Sequence, residues 1–182
     1  DVTVRATGSP MLTIQPGAEL RFSQNSRFNI AGSAILPGGL SAVGTPTQPI
    51  RFTSNVASPA PGNWQGVVFL LGTSPQSRLE HVIVEYTGTG PAVELQQTPA
   101  QVVLQHGTIR FCNGEGFTLS DGAPVLDDWS ITCSAGSDPG VYAVGAPALT
   151  LTNSQITNAI DLIDALATVS ITGNTFVNYN TG

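Results

Sequence analysis

The chain has 182 residues, enough for one domain to bury a real core without metals or several disulfides. Hydrophobic residues make up 41% and charged residues only 10%, so Ser, Thr, Asn, Gln and Gly must form most of the surface. Six Arg, no Lys and twelve acidic residues give a net charge of -6, which excludes a cationic stripe for nucleic acid and disfavours anionic membrane surfaces.

Residues 12–14, 20–22 and 28–30 read as short alternating strands, the first two separated by the turn signal Pro16-Gly17. Residues 50–52 form another, followed by a Pro-rich excursion over 57–62. The apolar run at 67–71, the longest strongly apolar one, is far too short to span a bilayer. From residue 79 one pattern recurs: an apolar anchor, four mostly polar residues, and a second anchor. It runs Leu79 to Val84, Leu104 to Ile109, Leu126 to Ile131, Leu151 to Ile156 and Ile171 to Phe176. The offsets of 25, 22, 25 and 20 residues identify a solenoid.

Period-two alternation flanks each second anchor: Val82, Val84 and Tyr86, then Ile109 and Phe111, then Ile131 and Cys133. All of these are expected to face inward. Between the anchors stand His81, His106, Asp128, Asn153 and Gly173, where a tight bend with left-handed backbone angles is expected. An earlier strand opens each copy at 67–70, 92–95, 117–120 and 141–144, mostly beside Gly or Pro. In 156–167, Ile160, Ile163 and Leu166 also approximate helical spacing, but the β register of neighbouring copies is preferred. Three short strands per revolution predict an all-β chain, a right-handed single-stranded parallel β-helix of about seven coils. One domain is expected over 1–182, with less regular coils over 1–66 and regular ones over 67–182.

The stretches LTIQPGAELRF (12–22), GLSAVGT (39–45), PIRFTS (49–54), GNWQGVVF (62–69) and RLEHVIVEY (78–86) carry a family likeness. Their order resembles the opening of β-helix domains in exported and surface-anchored bacterial proteins of the pectin-lyase-like superfamily. The resemblance implies the fold and an extracellular setting. It implies little about activity, because that superfamily mixes enzymes, adhesins and structural repeats.

Asp127-Asp128 is the pair most suggestive of chemistry, since polygalacturonase-like members use neighbouring aspartates as acid and base. Their pattern also needs His-Gly on the following coil and Arg-x-Lys beyond it. Here His106-Gly107 lies on the preceding coil and Lys is absent, which favours a polar turn. Glu80, Glu85 and Glu94 could offer oxygens to Ca²⁺ as in lyases of this fold, yet three carboxylates do not share a column. An exposed cross-strand pair of Glu85 with Arg110 is the simpler reading. His81 and His106 sit at equivalent bends but lack a third metal ligand. Trp129 is expected in the core by parity, whereas Trp64 reads equally as core or as a sugar-stacking surface.

Cys112 and Cys133, 21 positions apart, fall on adjacent coils within disulfide range. By register Cys133 faces inward while Cys112 falls a step later, so both a disulfide and two buried thiols remain open. The outward columns, one of them Glu85, Arg110, Thr132, Thr157 and Val177, lack the ladder of like residues that ice binding needs. The expected function is a non-catalytic extracellular structural, adhesion or assembly module. A carbohydrate-active β-helix, whether polysaccharide-binding, lyase or glycosidase, is the alternative, with Trp64, Asp127 and Asp128 as its candidate ligand-binding residues. No cofactor and no metal are expected. The expected partners are a second copy stacked head to tail, the rest of a longer parent chain, or a glycan.

Overall fold

The computed structural model describes residues 1–97, 102–133, 138–145, 148–158, 160–163 and 168–177. Its named elements are all β-strands, and they fall into three columns. The first column stacks β1 (Val2–Val4), β4 (Phe28–Ile30), β7 (Val67–Phe69), β10 (Val93–Leu95), β12 (Phe117–Leu119), β14 (Val141–Val144) and β17 (Ile160–Ile163). The second stacks β2 (Met11–Ile14), β5 (Gly39–Val43), β8 (Arg78–Glu80), the first halves of β11 (Val103–Arg110) and β13 (Val125–Thr132), β15 (Ala148–Thr152) and β18 (Thr168–Thr172). The third stacks β3 (Glu19–Phe22), β6 (Ile50–Ser54), β9 (Val82–Glu85), the second halves of β11 and β13, β16 (Gln155–Thr157) and β19 (Thr175–Val177).

Every ladder is parallel, and each revolution adds one strand to each column in the same order. The product is a right-handed parallel β-helix. Its seven-stranded first column counts the coils. At the parallel-strand spacing the rod is about 35 Å long. The irregular first 66 residues build the same columns as the rest. β17 pairs in register with β14, which decides for strand over helix at Ile160 and Ile163; Leu166 lies outside the described residues. No helix among the described residues is long and apolar enough to cross a membrane.

Single left-handed residues make the bends. Between the second and third columns stand His81 (φ 48°), His106 (53°), Asp128 (55°), Asn153 (53°) and Gly173 (69°). This is the bend position read from the repeats, and it lets β11 and β13 run through two columns without interruption.

A second left-handed residue closes the third column at Tyr86 (φ 64°), Phe111 (55°) and Asn158 (73°). Here simple alternation misplaces two rings. Continued from Val84 and Ile109 it would send Tyr86 and Phe111 inward, but a left-handed residue breaks the pleat and turns its side chain out. Tyr86 is half-buried, Phe111 is 45% exposed, and their rings stack at 5.2 Å. The residue after the break, Cys112, takes the inward place instead. It is fully buried and forms a disulfide with Cys133 of the next coil, at a Cα–Cα distance of 4.6 Å.

The interior is a continuous apolar cluster from Ile14 to Ile156. Trp129 fills the space beneath Gly107 of the coil before, where a Cβ would stand 2.2 Å from the indole ring. Its benzo edge therefore depends on glycine, and the ring meets Phe117 edge-on at 4.8 Å.

Candidate functional site

The outer face of the third column gathers most of the side chains with chemical potential. One outward row reads Glu19, Arg51, Ile83, Thr108, Ser130, Gln155 and Thr175 from the first coil to the seventh. The neighbouring row includes Arg21, Thr53, Glu85, Arg110 and Thr132. The face is thus charged over its first coils and hydroxyl- or amide-bearing over its last.

Glu85 is the centre of the charged half. Its side chain is only 4% exposed, yet both oxygens are engaged. Oε1 accepts from Arg51 Nη1 at 2.8 Å and from Thr53 Oγ1 at 2.9 Å, on the coil before. Oε2 accepts from Arg110 Nε at 2.8 Å and Nη2 at 2.7 Å, on the coil after. Burial pushes the Glu85 carboxyl upward, but the hydrogen bonds from Arg51, Arg110 and Thr53 outweigh it and hold the group below its ordinary value. The exposed two-membered pair expected from sequence is in fact a buried carboxylate clamped by two arginines. Arg51 also lies 3.7 Å from Glu19, which binds Arg21 at 2.6 Å. Arg21, Arg51, Glu85 and Tyr86 line a depression of about 350 Å³ here, walled by the excursion at Val56, Ala57 and Pro59.

The neutral half carries a groove of about 440 Å³ along the bend, lined by His81, His106, Thr108, Asp128, Ser130, Asn153 and Gln155 among others. The His81 and His106 rings stack at 4.7 Å with planes 12° apart, one coil above the other. His106 Nδ1 lies 2.8 Å from Asp128 Oδ2, so the carboxylate fixes the ring from the coil below. Asp127 Oδ1 accepts from Thr152 Oγ1 at 2.6 Å and Asn153 Nδ2 at 2.9 Å. Those two bonds hold the Asp127 carboxyl below its ordinary value, against a smaller effect of burial.

Asp127 and Asp128 therefore bond to opposite coils, and of the two it is Asp128 that lines the groove. Trp64 is fully buried, stacked on Phe22 at 4.2 Å, with its indole N–H donated to the Glu85 carbonyl at 2.8 Å. With both its faces and its polar edge enclosed, it offers no platform to a sugar. Trp129 is likewise buried, as its parity required. Glu80 pairs with Arg78 at 3.3 Å. Glu94 stands on the first column, away from Glu80 and Glu85, and burial raises its carboxyl, with Glu115 adding to the rise and Arg27 opposing it. Among the described residues no group of three or more His, Cys, Asp and Glu is placed to hold a metal ion.

Sequence reasoning missed Arg51 and Thr53 as partners of Glu85. The excursion between β6 and β9 breaks the near-constant repeat, so the offset from one coil to the next is 32 residues there, from Ile50 to Val82. The available signal was the match of IRFT at 50–53 to the anchor-and-strand pattern VIVE at 82–85. No protein-family model, no curated protein and no solved structure matches the chain.

Proposed function

We propose that the chain is a non-catalytic extracellular structural, adhesion or assembly module of the pectin-lyase-like β-helix kind. The observation that carries this reading is how the carboxylates are used. Glu85 joins three successive coils, Asp127 binds the coil after it, and Asp128 binds the coil before it. A general acid needs a raised pKa near the working pH, and Glu85 and Asp127 are pushed the other way. These groups act as fasteners between coils. The disulfide supports an oxidising, exported setting.

In the seventh coil Val169, Ile171 and Phe176 continue inward-facing columns yet are 39%, 39% and 48% exposed. That pattern supports further stacking on this end, by a second copy or by more of a parent chain. Light scattering coupled to size exclusion over a concentration series, with micrographs of the same samples, tests the assembly version. Growth with concentration that Phe176→Asp abolishes supports it, and a strict monomer removes it. Release of sugars from uronate or neutral polysaccharides by the purified chain would overturn the non-catalytic reading. A second reading, carbohydrate binding, is favoured by one observation: the open groove from His81 to Gln155, whose lining includes imidazole, hydroxyl and amide groups.

A further inference from the structure

We propose that this groove is a cleft for a neutral, polyhydroxylated chain lying along the rod axis, held by His81, His106, Ser130 and Gln155. The proposal rests on the carbohydrate-binding reading and adds the ligand's charge, direction and contacts.

The two histidines are not needed to make the bend. Asn153 and Gly173 make the same left-handed bend in later coils without a ring. With His106 Nδ1 facing the acceptor-only Asp128 carboxylate, Nδ1 carries a proton and donates, which leaves Nε2 as the ring's second hydrogen-bonding atom. Thr108 and Ser130 add hydroxyls that both donate and accept, and Gln155 adds an amide. Mixed donors and acceptors of this kind match hydroxyl groups.

Direction follows from the stack. Thr108, Ser130 and Gln155 occupy one register position on three successive coils, so polar groups recur about every 4.8 Å along the axis. A linear polymer meets such a ladder repeatedly, whereas a compact ligand meets it once. Charge selects against polyanions. Asp128 lines the groove, the chain carries a net charge of -6, and Arg51 and Arg110 are committed to Glu85. The volume of about 440 Å³ falls in the range of roughly 300–1,000 Å³ usual for ligand clefts.

The test is calorimetric and NMR titration of the intact chain with cellohexaose, xylohexaose and mannohexaose, and separately with hexagalacturonate. At least one neutral hexasaccharide is expected to bind. The double variant His81→Asn, His106→Asn keeps residues that suit the bend, and should weaken binding roughly tenfold while the chain stays folded. The exposed-face variant Gln155→Ala, which leaves the bend untouched, should weaken it severalfold. Neutral binding that survives all three substitutions, or binding of hexagalacturonate alone, overturns the proposal while leaving carbohydrate binding intact. Binding of none of the four oligosaccharides overturns both.

Discussion

Gly107→Ala is the substitution whose consequence is most directly readable from the packing. A Cβ at residue 107 would lie 2.2, 2.3 and 2.6 Å from Cζ3, Cη2 and Cε3 of Trp129. Unstrained carbon contacts are about 3.5–4.0 Å, so three atoms overlap by about an ångström or more. Trp129 has little freedom to withdraw, being 1% exposed and set edge-on against Phe117 at 4.8 Å. Gly107 is itself fixed by the pairing of β11 with β13. Overpacking in a dense core costs about 1–3 kcal/mol, and the overlap with a rigid ring places this substitution near 3 kcal/mol. Urea melts of four proteins form the assay: the parent, Gly107→Ala, Trp129→Leu, and the double variant. Trp129→Leu alone should destabilise through a cavity, but in the Gly107→Ala background it removes the clash. The double variant should therefore be at least about 1 kcal/mol more stable than the sum of the single effects. Additive effects, or a Gly107→Ala shift within experimental error, would refute the reasoning.

Three further outcomes follow from the contacts between coils. Glu85→Ala leaves Arg51 and Arg110 facing each other, and should cost about 2–3 kcal/mol in denaturant melts. That is below the ~3–5 kcal/mol for a wholly buried pair, since the two arginines are about one-third exposed. Reduction of Cys112–Cys133, which closes a separation of 21 residues, should lower stability by about 3 kcal/mol, seen as a lower melting temperature with reductant present. Acid titration followed by circular dichroism should show stability falling at pH values below about 4. Glu85 and Asp127 have folded-state values below their ordinary ones, so their contribution is complete above the ordinary carboxylate range and is lost as pH falls through the depressed values. Glu94, raised by burial, works in the opposite sense, and the paired substitution Glu85→Gln, Asp127→Asn should flatten the acid loss.

The repeats alone determined the architecture, because a parallel solenoid repeats its core pattern once per coil. The anchors from Leu79 to Phe176 located the later strands, and His81, His106, Asp128, Asn153 and Gly173 located a bend whose left-handed angles polar or small residues tolerate. Inward parity placed Trp129 in the core, with Gly107 making room for it. Only the tertiary structure decided what happens at the second bend. A single left-handed residue reverses side-chain parity without leaving a mark in composition, so Tyr86 and Phe111 turned out and Cys112 turned in toward Cys133. The burial of Trp64 and the clamping of Glu85 were likewise beyond the sequence. Both depend on which coil lies above, and the irregular excursion after β6 hides that offset from any reading of period.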